Sequence, residues 1–283
     1  MTISFPSLGS QGRLGNQLFQ YAFLRSAARR LGTRFQCPAW IGDRVFCLDD
    51  AAERAEAAPA PARVYRQPDG NSGFDAGALR IEDATEISGY FQSARYFDDE
   101  PAVRRWYRFR EESVAAVAAR FAHVDFSESV GLHLRFGDKK GDPRFYLPRR
   151  RYYLDALSER VPRRAHVLVF SDEPRRARRY LEPMASRAIF VEGNEAHEDL
   201  HLMTRCRDFI GSASTLSWWG AWLNPRPDKT VVAPAEGHLR PGAPIENPDF
   251  WPPGWIRARG LAPLGTGYWT VRLAEAMISA LRR

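Results

Sequence analysis

The chain has 283 residues, 44% hydrophobic and 12% aromatic, with 41 basic against 34 acidic side chains and a formal charge of +7. This composition excludes a disordered or fibrous protein, and the length accommodates two domains of roughly 100–200 residues each. All but three of the basic residues (Lys139, Lys140 and Lys229) are arginine. They are scattered along the chain, which speaks against a nucleic-acid partner and leaves either the codon bias of a GC-rich genome or a surface drawn to anions, such as sugar-nucleotide phosphates or an anionic membrane face.

Residues 3–8 read as a strand, followed by a glycine-containing loop and a helix over 16–31 stopped by Gly32. Leu18 and Ala22, and Phe19, Phe23 and Ala27, recur at helical spacing and predict one buried face. Residues 1–9 lack the basic start and apolar core of a signal peptide, and no apolar run reaches the ~18 residues of a membrane span, so a cytoplasmic protein is expected. Cys37, Cys47 and Cys206 are odd in number and unpatterned, which predicts reduced thiols. Residues 51–63 read as a low-complexity surface segment and 66–73 as turns, neither with a function. A helical region over about 101–122 precedes an alternation of strands (130–134, 167–170, 188–191, 209–211, 231–233) and helices (152–161, 175–184, 199–206, 217–223). Apolar strands alternating with helices predict an α/β fold with a parallel sheet covered on both faces. Proline-rich 241–254 interrupts this pattern, and 269–281 read as an amphipathic helix packing back on the body. No internal repeat is present.

Four segments carry candidate chemistry. Gly12, Arg13, Leu14, Gly15 and Asn16 open the first helix, where backbone N–H groups and the helix dipole can receive an anion, although a plain turn has the same pattern. Neither the dinucleotide fingerprint nor the P-loop is met. On the strand ending near 134, His133 and Arg135 project to one side, and Asp138 follows. A planar guanidinium there suits bidentate contact with phosphate, or a structural pair with a carboxylate. Asp172 follows the next strand, where it can accept hydrogen bonds from a base or ribose, or cap the following helix. Ser214 and Thr215 stand before a helix that carries Trp218, Trp219 and Trp222, with hydroxyls suited to phosphate. His197, Glu198 and His201 match H-E-x-x-H, a zinc-hydrolase pattern.

Taken in order, G-R-L-G-N-Q-L-F-Q-Y-A-F from Gly12, G-Y-F-Q-S-A-R-Y-F from Gly89, H-L-R-F-G-D from His133, F-S-D from Phe170, D-L-H-L-M-T-R-C from Asp199 and S-T-L-S-W-W-G-A-W-L-N from Ser214 resemble the alpha-1,2-fucosyltransferase family. The resemblance implies a GT-B-like architecture: two Rossmann-like domains facing a central cleft, with 1–125 on the acceptor side, 126–265 binding the nucleotide sugar and 266–283 as the closing helix. It implies inverting, metal-independent transfer of fucose from GDP-fucose to the 2-hydroxyl of a galactoside within a glycan; a lipid-linked acceptor and, from the basic charge, peripheral contact with the inner membrane face are further expectations.

The resemblance further implies that Arg135 holds the diphosphate, aided by Ser214, Thr215, Asn16, Arg13 and the Gly15 backbone. His133 would line the same pocket, and Asp172 or Asp199 would serve the guanine; Asp138 is the first candidate for the base. The chain departs from the family in having Phe136 for a second arginine, Lys139 for a tyrosine, Glu173 for a second aspartate, and Ala213 and Leu216 in the Asn-Ser-Thr-Phe-Ser stretch. Protein O-fucosyltransferases also have a single arginine before an apolar residue and glycine. Another GDP-sugar as donor, a sugar-nucleotide binder without turnover, and a zinc hydrolase using His197, Glu198 and His201 are the competing readings.

Overall fold

The computed structural model describes residues 2–68, 74–137, 147–160, 165–235, 247 and 249–258. Asp138 and the helix expected over 269–281 lie outside them. The first half contains strands β1 (Thr2–Ser4), β2 (Arg34–Gln36), β3 (Arg63–Arg66) and β4 (Thr85–Ser88), with helices α1 (Leu14–Leu31) and α2 (Gly42–Val45). All strand pairs are parallel and the order is β2-β1-β4-β3. Helix α1 ends as expected at Gly32, whose φ of 63° is a left-handed cap that glycine adopts without steric cost.

Helix α1 is buried well beyond the single apolar face that the sequence predicts. Gln17, Gln20 and Arg25 are covered as well as the leucines and phenylalanines. A buried guanidinium needs partners. Arg25 donates to both oxygens of Glu53, at 2.9 and 2.8 Å, and to the carbonyls of Leu48 and Asp49, with its plane 4.4 Å from the Trp106 ring. Arg54 ties Asp43 to Asp50. The start of the stretch read as a loose surface segment is thus fastened to α1.

The region expected as one helix near 101–122 is two, α3 (Glu100–Trp106) and α4 (Glu111–Arg120). The chain breaks between them because Phe109 bridges to Phe46, with Cys47 N donating to Arg108 O and Arg110 N to Val45 O.

The second half contains β5 (Ser129–Leu134), α5 (Arg150–Arg160), β6 (His166–Ser171), α6 (Pro174–Tyr180), β7 (Ala188–Val191), α7 (Ala196–Arg205), β8 (Asp208–Ile210), α8 (Thr215–Leu223), β9 (Val231–Pro234) and β10 (Ile256–Ala258). Helix α6 stops short of the expected 184, and Pro183, which cannot donate to a helix, lies in a 3₁₀ turn over Glu182–Arg187. The sheet is parallel throughout, ordered β10-β9-β8-β5-β6-β7.

Alternation along these strands fills two cores. Leu132, Val167, Val169, Ile210 and Val232 pack with Tyr152, Tyr153 and Leu157 of α5. Leu168, Phe170 and Phe209 pack with Val117, Met203 and Ala221 from α4, α7 and α8. Strand order runs outward from β5 in one direction and from β8 in the other, so the connection reverses between β5 and β8. Open parallel sheets bind ligands at the carboxyl ends of the strands at such a switch point.

Helix α8 joins the two halves. Its tryptophans leave their own sheet and enter the core built on α1: the Phe19 ring centroid lies 4.6 Å from Trp218 and 4.8 Å from Trp219. The indole N–H of Trp219 donates to Gly15 O at 3.0 Å and that of Trp218 to Phe250 O at 2.6 Å. Each ring is thereby satisfied at its one polar atom.

Candidate active site

Arg135 stands one residue past β5, at the switch point. Its Nε lies 3.2 Å from Asp172 Oδ2, with both side chains largely covered, 15% and 19% exposed. Asp172 also accepts from the backbone N–H of Phe136 (2.9 Å, Oδ1) and of Gly137 (2.9 Å, Oδ2). The carboxylate therefore clamps the turn after β5 and sets the direction of the guanidinium. Neither role suggested for Asp172 in the sequence reading describes this geometry. The cap position of α6 is occupied by Glu173, whose N–H is bonded by Ser171 Oγ, and Asp172 instead pairs with Arg135 and the turn. Asp172→Ala is expected to destabilise the fold by about 1–2 kcal/mol, because it leaves the partly buried Phe136 N–H unpaired and frees the exposed Gly137 N–H to water. Urea unfolding of the variant checks this.

Phe136, which replaces the family's second arginine, is 2% exposed and packs edge-on to Tyr180, with the Arg176 guanidinium 4.2 Å above its ring. Across the switch point, His133 Nδ1 lies 3.3 Å from Ser212 Oγ, so β5 and β8 are tied at their carboxyl ends. Ser212 N in turn donates to Ser217 Oγ and Ser214 N to Ser212 O, which shapes the entry to α8. Ser214 is the N-cap of α8, yet its hydroxyl makes no capping bond to the helix.

The glycine loop meets this entry. A Cβ on Gly15 would lie 2.6 Å from both Leu216 N and Thr215 Oγ1, so only glycine allows the starts of α1 and α8 to approach this closely. Two helix N-termini, each with partial positive charge, thus converge beside the end of β5. Gln17 holds the loop by donating to Gly9 O and Gly12 O at 3.1 Å each. Asn16 accepts from Gln92 Nε2 at 3.0 Å. Arg13 is the extended, solvent-exposed residue before α1. The structure brings Gly15, Asn16, Ser214 and Thr215 to one place, with His133 on the adjoining strand β5 and Arg135 one residue past its end.

Asp199 lies in the first turn of α7, after β7, with Asn194 Nδ2 donating to it at 2.9 Å. Burial pushes its carboxyl up to about 6, against the pull of the Asn194 hydrogen bond. The H-E-x-x-H residues have other work. Glu198 closes a capping box on Glu195 N, His197 Nε2 lies 3.2 Å from Ser113 O, and His201 packs edge-on to Phe109, where burial lowers it to about 4. Among the described residues no group of three or more His, Cys, Asp or Glu side chains is placed to hold a metal ion.

Gln92 and Gln67, which sequence reasoning passed over, belong to this region. The only sequence signal for Gln92 is its place in the G-Y-F-Q-S segment; its partner is 76 residues away.

A family model for glycosyl transferase family 11 matches residues 87–256, from the end of β4 to the start of β10, and so takes in the Arg135 turn and the entry to α8. The chain belongs to glycosyl transferase family 11, the alpha-1,2-fucosyltransferase family. Two Escherichia coli proteins are similar to this family 11 chain. An alpha-1,2-colitosyltransferase is 28% identical over 187 residues, covering 62% of this chain and 63% of that protein, and the O-antigen biosynthesis glycosyltransferase WbnK is 32% identical over 123 residues, 38% of each. The chain thus spans less than two thirds of the length of these relatives. POFUT1 in complex with GDP superposes with a TM-score of 0.57 at 14% identity, covering 82% of this chain and 97% of that one. NodZ alpha-1,6-fucosyltransferase co-crystallised with GDP gives 0.54 at 16% identity, covering 84% and 96%. At these identities the likeness concerns the fold, which is GT-B-like as expected.

Proposed function

We propose that this family 11 chain transfers fucose from GDP-fucose to the 2-hydroxyl of a galactoside, with inversion at the sugar carbon and without a metal. The observation that carries the proposal is the guanidinium of Arg135 held by Asp172 just past β5, on the strand that pairs with β8, whose chain leads into the start of α8 where it meets Gly15 of α1. Breaking the bond between sugar and diphosphate puts negative charge on the β-phosphate while the ring becomes oxocarbenium-like. Fixed positive charge and oriented N–H groups lower that barrier because they need not reorganise as the charge develops. Arg135 supplies the cation and a planar pair of donors. Ser214, Thr215, Asn16 and the Gly15 region supply neutral donors, with Arg13 at the rim and His133 lining the wall.

The acceptor hydroxyl loses a proton to Asp138 in this scheme. Because these groups supply the neutralising charge, chelator is expected to leave the rate unchanged. Two structures in the fold comparison were solved with GDP, which supports a guanosine diphosphate donor. The relative named for colitose favours a second reading, in which the same site takes a sugar other than fucose. Calorimetry against GDP-, UDP- and ADP-sugars, then a glycan array with the tightest donor, separates these readings. UDP- or ADP-sugar binding without GDP-sugar binding would overturn both.

With Asp172 committed to Arg135, Asp199 is the acidic residue assigned to the guanine. A carboxyl group accepts from two N–H groups of the base, one on each oxygen and with full charge, when it is ionised; protonation turns one of those oxygens into a donor. Donor affinity is therefore expected to rise as pH climbs through about 6, and this rise should be lost in Asp199→Asn. The sign for stability is the opposite. The folded-state value lies above the unfolded one near 3.9, so the protonated form is favoured in the fold and stability falls between about pH 4 and 6. Asp199→Asn should recover on the order of 1–3 kcal/mol above that range, read by denaturation at pH 5 and pH 8.

The acceptor is proposed to be a galactose-containing glycan, lipid-linked forms included; one relative is named for O-antigen biosynthesis. No helix among the described residues is long and apolar enough to cross a membrane. Exposed Arg150, Arg151, Arg175 and Arg179 on α5 and α6 support peripheral contact with an anionic surface on the cytoplasmic side.

A further inference from the structure

The amide of Asn16 has two ends of nearly the same shape and opposite chemistry: Nδ2 donates, Oδ1 accepts. An anion at the start of α1 is stabilised by the first and repelled by the second, so the orientation of this amide matters to the site. Gln92 decides it. Its Nε2 donates to Asn16 Oδ1 at 3.0 Å, which turns Asn16 Nδ2 away from Gln92 and over the glycine loop. There the nitrogen occupies space that a side chain on Gly12 would need: a Cβ on Gly12 would lie 2.4 Å from Asn16 Nδ2, and Gly12 itself has a left-handed φ of 81°.

Gln92 is itself held at unusual cost. It follows Phe91, a buried aromatic residue at φ 52°, a conformation that non-glycine residues adopt only where their surroundings enforce it. The enforcement comes from Gln67, whose Oε1 accepts from both Tyr90 N and Phe91 N at 2.9 Å, and whose Nε2 donates to Tyr96 Oη at 3.2 Å. From the other side Asn247 Nδ2 donates to Gln92 O at 3.1 Å. Gln92 is 3% exposed, and its buried Oε1 has no hydrogen-bond partner among the described residues, as is true of Asn247 Oδ1. A strained turn and an unpaired buried carbonyl both reduce stability. A fold that keeps them beside a binding loop is keeping a geometry rather than maximising stability.

We propose that Gln92 is a positioning residue of the donor site: by donating to Asn16 Oδ1 it presents the Asn16 N–H₂ group, and not its carbonyl, to the diphosphate. This inference rests on the donor-site reading above. Gln92 touches no substrate atom in this arrangement and acts through Asn16.

The experiment is calorimetric titration with GDP of the wild type, Gln92→Leu and Gln92→Glu, each also in an Asn16→Ala background, with thermal unfolding as the fold control. Leucine releases the Asn16 amide and should weaken GDP about 3- to 10-fold, the loss of one oriented hydrogen bond. Glutamate keeps the shape and offers only acceptors when ionised, so Asn16 turns its nitrogen toward residue 92 and its carbonyl outward. It should therefore weaken GDP more than leucine does. A purely structural role gives the reverse order, because glutamate preserves a hydrogen bond that leucine deletes. In the Asn16→Ala background the leucine loss should vanish, and the glutamate loss should shrink to the direct repulsion of its own charge. Should Gln92→Glu fail to fold, the leucine cycle decides alone: equal loss with and without Asn16, or no loss at all, overturns the role of Gln92. Wild-type protein that does not bind GDP overturns the donor-site reading, and this inference with it.

Discussion

Arg135→Ala should lower sugar transfer by about 10²–10³-fold, the range seen when one oriented donor to a developing oxyanion is removed. Arg135→Lys should recover little of it. Lysine would keep the charge, but the geometry around Arg135 is that of a planar fork: Nε is taken by Asp172 at 3.2 Å, which aims the remaining guanidinium donors rather than neutralising a free point charge. An ammonium cannot bond Asp172 on one side and present two parallel donors on the other. The measurement is kcat and KM for the donor identified by the binding panel, in protein whose unfolding midpoint matches the wild type. The loss should fall mainly on kcat, because the charge that Arg135 meets grows as the sugar leaves. Near wild-type turnover in Arg135→Ala would remove the residue from the reaction.

The second large effect concerns stability. Trp218→Ala should destabilise the protein by about 3–5 kcal/mol, the cost of deleting a large buried aromatic side chain. Trp218 is fully buried among Phe19 at 4.6 Å, Trp219 at 4.8 Å and Trp222 at 5.6 Å, and its N–H is bonded to Phe250 O. These rings fill the space between α1 and α8, so the change loosens the junction that brings Gly15 against Thr215. Donor binding should weaken together with stability, although Trp218 is fully buried. Denaturant unfolding checks the first effect and GDP titration the second; a loss of stability below about 1 kcal/mol would mean that the two halves do not share this core. Because they do share it, unfolding should follow one cooperative transition rather than two.

The elements that carry the candidate site were the ones most legible in the sequence. Val130 to Leu134 and Val167 to Phe170 are apolar runs bounded by polar residues, and such runs in a doubly wound sheet have few alternatives. Gly32 marked the end of α1, and the hydroxyls before Trp218 marked the start of α8. The N-terminal sheet was much less readable. Thr85–Ser88 and Arg34–Gln36 are short and polar, and Arg63–Arg66 is an exposed edge strand, so neither alternation nor apolar content distinguishes them from loops. They are strands because α1, with its buried Arg25 and aromatic face, supplies the surface on which they assemble.

The site divides along the same line. Single positions such as Arg135, Asn16 and Thr215 could be named from their neighbours in sequence. Their relations could not. Asp172 had two plausible local roles, and the fold gives it a third, across 35 residues to Gly137; Gln92 reaches Asn16 across 76. Contacts of that range are set by which strands lie side by side, and that order is decided by the packing of the whole sheet.

Arg135, turned by Asp172, is expected to neutralise the diphosphate of the departing nucleotide beside the starts of α1 and α8. The most direct measurement is the crystal structure of the protein with GDP. The β-phosphate should lie within hydrogen-bonding distance of the Arg135 guanidinium, with Thr215 and Asn16 Nδ2 as further donors. Well-ordered GDP bound elsewhere, its phosphates far from Arg135, would contradict it.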